Sequence, residues 1–395
     1  MIDEEIIERL SKRLVERINN TNEYILKEIG KCIKEIGSLT PSKASQLAQI
    51  LKYGGNYKKI VKRLEELTKL NVKDIEDIFE AVAKENYSFA KQFYDYKGIE
   101  YIPYNKNIAL QNQVKSLARI TIGEYLNLSN TTAIGYYVTD NLGDIVFKGL
   151  EESYRQTIDQ AVLSVAQGKE SFNSSMERTL KTLGRSGLKT IQYESGYTRR
   201  LDSAVRLNIM SGLRQMTQDL QKQFGQEFGA DGIEISAHRN SAPDHEPVQG
   251  RQFKNEEFEK LQSQQPFEDY NHRHYGVIKR PIGEWNCYHT IFSIVLGVSK
   301  PTYTEKQLEN MENKNKDGFD FEGKHYTNYE GKQLQRKIES EIRKEKDLYI
   351  LAKASGNNDL KEQTKLRMDL LLDKYNKLSK ESGLENEIQR LKVVR

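Results

Sequence analysis

The residues best equipped for chemistry crowd into one stretch. Between positions 230 and 300 lie five of the six histidines, one of the two cysteines and the single tryptophan. They fall in three segments: Ser236-Ala237-His238-Arg239-Asn240-Ser241-Ala242-Pro243-Asp244-His245, then Gln249-Gly250, then Trp285-Asn286-Cys287-Tyr288-His289. Imidazole and thiolate are the ligands zinc prefers in four-coordinate sites, so His238, His245, Cys287 and His289 are the candidate set. The spacing counts against a metal. Zinc fingers pair their ligands as C-x2-4-C or H-x3-5-H, whereas here six residues separate the two histidines and one separates Cys287 from His289. The favoured reading is a hydrogen-bonded histidine network tying two loops together; no cofactor is expected, and zinc is the alternative.

A hydrolase is the competing chemistry. Asp244 would orient His245 or His238 as a general base for a Cys287 nucleophile. A lone cysteine beside a tryptophan is more often a small packing residue. Pro243, Asp244 and Gly250 also have a plain role as turn residues, with Gly250 free to take a positive φ. Asn286 is placed to cap a helix running through 291–296. The bets are therefore structural: His238, Asp244, His245, Gln249, Gly250, Trp285, Asn286, Cys287 and His289 as the core of a module, with no catalytic residue assigned.

A basic, glycine-flanked segment lies upstream. Arg185, Lys189, Arg199, Arg200 and Arg206 are candidate contacts for DNA or an acidic partner. The segment lacks G-x-x-x-x-G-K-[ST], so it is no nucleotide-binding P-loop. The 61 basic against 57 acidic side chains leave a net +4, too balanced to argue for nucleic acid without a local patch. A DNA-binding accessory factor stays open, and its affinity would fall steeply with salt.

The elements that must position these residues read as mostly α. Four regions are expected: an N-terminal helical bundle over 1–105, a central helical region over 106–229, a small α+β module over 230–300, and a polar linker with a charged helical hairpin over 301–395. Ile6, Leu10, Leu14 and Ile18, then Ile25, Ile29, Ile33 and Ile36, recur at helical spacing, with a break expected at 71–74. Residues 139–144 suggest a turn or hairpin. The clearest helix starts near Thr198 and carries Leu201, Val205, Ile209, Leu213, Met216, Leu220 and Phe224, with Asp202 and Arg206 spaced for an ion pair. Residues 233–238 alternate as a strand does, and 313–318 read as linker. Leu334, Ile338 and Ile342 stripe the first terminal helix; Leu366, Leu370 and Leu378 stripe the second. Cys32 and Cys287 form no disulfide framework, and neither a secretory signal nor an apolar run of about 18 residues is present.

These residues also carry a resemblance. Ser195-Gly196-Tyr197, Arg200, Asp202, Val205-Arg206, Ser236-Ala237-His238, Pro243-Asp244-His245, Gln249-Gly250, Trp285 to His289 and Gly297-Val298-Ser299 resemble the phage minor capsid protein family of Gram-positive phages and prophages. The likeness continues through Phe321 to Thr327 and Gln333 to Arg336. Tyr288 departs from it, because relatives generally carry arginine there. The family is similar in its C-terminal core to the head-morphogenesis proteins of the phage Mu F type. What the resemblance implies is a non-enzymatic, portal-associated role in head assembly and DNA packaging or delivery. Its implied partners are the portal protein, the major capsid or scaffold protein and packaged DNA, and its implied places are the host cytoplasm and then the virion.

Overall fold

Where apolar residues recur every three or four positions the chain is helical, and where they alternate it forms short strands. The computed structural model describes residues 4–391 except 54, 141, 169–171, 193–194, 284–286 and 387–390. In chain order, α1 (Glu4–Gly37), α2 (Pro41–Tyr53), α3 (Gly55–Lys97), the 3-10 turn η1 (Tyr104–Lys106) and α4 (Ile108–Leu128) come first. The hairpin β1 (Ile134–Thr139) and β2 (Ile145–Gly149) follows, then α5 (Leu150–Ala166), α6 (Phe172–Ser186), β3 (Lys189–Ile191), β4 (Thr198–Arg200) and α7 (Leu201–Phe228). Next are β5 (Gly232–Ile235), β6 (Gln252–Lys254), α8 (Asn255–Gln262), β7 (Phe267–Glu268), β8 (His274–Tyr275) and β9 (Ile291–Ile294). Last are α9 (Glu305–Asp317), β10 (Phe319–Phe321), β11 (Lys324–Tyr326), α10 (Asn328–Ser355) and α11 (Asn358–Ser382). The mostly α reading holds. The expected turn at 139–144 is the β1–β2 hairpin, and the α7 stripe from Leu201 to Phe224 is at most 1% exposed.

The chain forms two compact units. One comprises Leu14–Val72, Glu124–Arg206 and Leu334–Arg395. Its antiparallel sheet has the order β2-β1-β3-β4, and α5 and α6 pack on β1. Leu14, Ile18, Ile25, Ile29, Ile33 and Ile36 of α1 are buried here, as their period predicts. Asn22 ties helix to sheet: its Oδ1 accepts from the Tyr136 hydroxyl at 3.0 Å and from the Leu188 amide at 3.0 Å.

Three expectations for this unit fail. The supposed break near Asn71 lies inside α3, where the Asn71 side chain donates to the Tyr125 hydroxyl at 3.1 Å and accepts from Arg17 at 3.3 Å. A buried tertiary partner, not a turn, accounts for that polar residue. Leu366 and Leu370 of α11 are exposed, and the buried face is Leu360, Thr364, Met368, Tyr375 and Leu378. Two residues off a helical stripe is about 200° around the axis, so that pair looks outward. The Asp202 carboxylate, expected to meet Arg206, accepts from Arg200 and Arg343. The antiparallel pairing of α10 with α11 is as anticipated: Gln335 meets Tyr375 and Ser379, and the turn falls at 356–357.

The other unit comprises Met1–Arg13, Lys73–Gly123 and Leu207–Gln333, and holds the histidine-rich module. Its three-stranded antiparallel sheet has the order β6-β5-β9, with Ile233 opposite Phe253 and Ser293. Residues 291–294 are therefore strand, not the helix anticipated behind Asn286; three of the four are β-branched or aromatic, which suits a pleated, buried surface. α7 packs on β9, where the Ser293 hydroxyl donates to the Gln221 carbonyl at 2.7 Å and Gly225 leaves room for Ser293. Ile235, Val248, Phe253, Leu261, Phe267, Tyr275, Ile278, Ile282, Cys287 and Ile291 form the module's core, with Ile235, Phe253 and Ile291 on the face of the sheet that also carries Ser293. Full burial of a side chain such as Phe253 or Ile235 contributes about 2 kcal/mol. The segment read as linker at 313–317 belongs to α9, started by a capping box at Thr304 and Gln307, and a β10–β11 hairpin follows.

Candidate functional site

The site hangs on the β5–β9 ladder. Past Ile235 and Ile291 the ladder continues by one bond, Ser236 donating its amide to the Thr290 carbonyl at 2.8 Å. This fixes the chain that leads into β9, and with it Cys287 and His289. The opposite wall is the turn at 242–250, where His245 and Glu246 donate to the Ala242 carbonyl and Val248 and Gln249 donate to that of His245. One helical turn thus sets His245 and Gln249 four residues apart on one side. Gly250 ends it at φ 68°, the positive value foreseen for it.

The structure brings His245, Cys287 and His289 together: one ligand atom from each lies within 4.8 Å of the others. The Cys287 Sγ is 3.6 Å from His245 Nδ1 and 3.4 Å from His289 Nδ1. His245 and His289 are 2% exposed and Cys287 3%. His245 Nε2 donates to the Arg280 carbonyl at 2.8 Å, with Asp244 Oδ2 farther off at 3.8 Å. His289 Nε2 faces Gln249 Oε1 at 3.3 Å, and that oxygen also accepts the His238 amide at 3.1 Å. The His238 ring lies against His289, centroids 4.4 Å apart, and its Nδ1 meets the Arg239 carbonyl at 3.0 Å. Asp244 accepts the Lys279 amide at 2.8 Å and so pins the loop that carries Arg280.

Burial opposes charge on His245, yet the Cys287 sulfur beside it outweighs burial and raises its pKa. For Cys287 burial pushes the thiol up, but the hydrogen bond it shares with His245 and those with the backbone of Gly283 and His289 bring it below the ordinary value. Burial drives His289 well down, with His238, His245 and Arg214 adding to the effect, so its ring is neutral. Tyr288 has the Arg214 guanidinium of α7 over its ring at 4.8 Å.

Chemically, two imidazoles and a sulfur can hold a soft cation or share a proton. The hydrolase arrangement of Asp244, His245 and Cys287 is present in outline, but the His245 Nε2–H is aimed at the Arg280 carbonyl and the sulfur is buried. Reactive cysteines sit where a substrate can reach them. His272 and His274, by contrast, are exposed beside Glu268. Trp285 and Asn286 lie outside the described residues.

The basic candidates are elsewhere, in the unit that holds the four-stranded sheet. Arg185 pairs with Glu345 at 2.7 Å, and the buried Arg200 pairs with Asp347 at 2.8 Å and Asp202 at 3.3 Å. Lys189 lies over the Tyr137 ring at 5.6 Å and Arg199 over Tyr197 at 5.5 Å, while Arg206 is half-buried.

Sequence reasoning missed Arg280, whose carbonyl orients His245, and Ser241, whose hydroxyl lies 3.4 Å from His289 Nε2. It also weighed the Cys-x-His spacing against a shared site. Residues i and i+2 of an extended chain line one face, so that spacing suits a shared site.

Compared with known families, residues 2–378 match the model for Phage minor capsid protein 2. No curated protein and no solved structure matches the chain.

Proposed function

Because the chain belongs to the phage minor capsid protein 2 family, we propose that it is built into the head of a tailed phage or prophage as a minor component at the portal. There it acts in head assembly and in packaging or delivery of DNA, by binding and without turnover. The observation that carries this reading is the reach of the family match, residues 2–378, which takes in both compact units and not the histidine-rich module alone.

The partners are the portal protein and the major capsid or scaffold protein, with DNA as a further one. Protein contact leads over DNA because Arg185 and Arg200 already spend their charge on Glu345, Asp202 and Asp347. The buried sulfur and imidazoles of the candidate site favour a structural role over catalysis. Among the described residues no helix is long and apolar enough to cross a membrane. The chain is made in the host cytoplasm and taken up into the virion.

The test is to purify virions or induced prophage particles and quantify this chain against portal and major capsid protein by mass spectrometry. A few copies per head is the expected result. Consistent absence from particles overturns the reading.

A further inference from the structure

The geometry points to a binding site for one divalent cation of the zinc class, held by His245 Nδ1, Cys287 Sγ and His289 Nδ1. Hydrogen-bond partners fix where the ring protons sit. A backbone carbonyl only accepts, so the 2.8 Å contact with Arg280 requires the proton of His245 on Nε2. Gln249 Oε1 accepts the His238 amide at 3.1 Å, which identifies that atom as the oxygen, so His289 must also carry its proton on Nε2. Ser241 fits the same assignment: its hydroxyl donates to the Ala242 carbonyl and leaves a lone pair toward His289 Nε2.

Both rings therefore turn a bare Nδ1 lone pair on the same sulfur, at 3.6 and 3.4 Å. A thiol has one proton and satisfies one of them. The other is an acceptor without a donor inside a residue only 2% exposed, cut off from the water that would otherwise satisfy it. Moving the thiol proton onto His245 does not help, since His289 would then face a thiolate with its own lone pair. A cation in place of the proton satisfies all three atoms at once.

The dimensions agree. With Zn–S about 2.3 Å and Zn–N about 2.0–2.1 Å, the sulfur–nitrogen edge of a tetrahedron is about 3.6 Å. The two edges observed are 3.6 and 3.4 Å. One sulfur and two imidazoles select zinc over magnesium or calcium. The carbonyl on His245 and the amide oxygen on His289 are the outer partners that metal-bound histidines use to fix their tautomer. Three protein ligands leave a fourth position for water or another exogenous ligand.

To test this, the full chain is purified without chelator and its metal measured by inductively coupled plasma mass spectrometry, with one zinc per chain expected. The chelator-stripped chain, loaded with cobalt(II), should show a thiolate-to-cobalt charge-transfer band that Cys287→Ser abolishes and Cys32→Ser keeps. Gln249→Ala, which frees the His289 ring but removes no ligand, should weaken zinc binding about 10–100-fold. If stripping unfolds the wild-type chain, restoration by zinc alone supports the site, and so covers the case in which a variant fails to fold. Folded wild-type chain with neither zinc nor a cobalt band overturns the proposal, as does a band that survives Cys287→Ser.

Discussion

Asp202 and Asp347 both bond to the buried Arg200, yet replacing them should not cost the same. Asp202 is 3% exposed and accepts from Arg343 at 2.9 Å, from Arg200 at 3.3 Å and from the Ser203 amide at 2.9 Å. Burial opposes its charge, but two guanidinia and an amide outweigh burial, and its pKa is lowered. Asp347 is 4% exposed; burial raises its pKa, and Arg200, partly cancelled by the nearby charge of Asp202, does not restore it. Asp202→Asn removes the carboxylate that bonds both guanidinia, so that Arg343 loses its charge partner, and should cost about 3–5 kcal/mol, the usual loss when a buried pair is broken. Asp347→Asn removes the charge the site tolerates least, and Asp202 remains to neutralise Arg200, so its cost should be about 1 kcal/mol or less. At roughly 2–4 °C per kcal/mol for a body of about 200 residues, thermal unfolding should drop by about 10 °C in the first variant and by about 3 °C or less in the second. A group with a lowered folded pKa stabilises above its unfolded value and loses that contribution as pH falls through the folded one. The Asp202→Asn gap should thus hold from pH 7 to about 5 and close only in stronger acid. Equal losses in the two variants, or a larger one for Asp347→Asn, would refute the reasoning.

Two further perturbations address the module. Gly250→Ala places a Cβ at φ 68° and 2.4 Å from Leu308 Cδ2, so strain and overlap together should cost about 2 kcal/mol or more; an unchanged melting temperature counts against it. Glu305 joins Arg251, at 3.0 and 2.9 Å, to Arg273 at 2.7 Å. Burial opposes its charge, but the two arginines prevail and its pKa is lowered. Its side chain is half-exposed, so Glu305→Gln should cost about 1 kcal/mol at neutral pH and low salt. That contribution is full above about pH 4.3 and fades as pH falls through the lower folded value. The gap between variant and wild type, measured at pH 7 and pH 3, should shrink; a constant gap sinks the assignment.

The parts of the fold that were legible have dense local signals. The α7 stripe sets seven apolar residues at helical spacing, and the α10–α11 turn carries Gly356 with Asn357, whose side chain caps α11 by accepting the Leu360 amide at 3.0 Å. What was misread depends on partners distant in sequence. Asn71 reads as a breaker until Tyr125 and Arg17 are seen to meet it. Residues 291–294 suit either a buried helix or a strand, and only Gly232 to Ile235 as a neighbour decides.

The candidate site divides the same way, and the division tells which of its residues a reader of sequence can find. Zinc-finger spacing rules presume that both members of a ligand pair come from one tight turn. Here His245 comes from a turn, and Cys287 with His289 from the extended entry to β9, so each segment must be judged by its own period. By the two-residue period Cys287 and His289 share a face, and by the helical period His245 and Gln249 do. Both pairs are visible in the sequence once the right period is assigned to each. The Arg280 carbonyl is not, because every residue carries a carbonyl and only the loop pinned by Asp244 through the Lys279 amide brings this one to His245. Replacing Arg280 would leave that carbonyl in place, whereas replacing Asp244 releases the loop that aims it. Asp244, 3.8 Å from the imidazole it would have to orient as a general base, thus acts on His245 through the backbone.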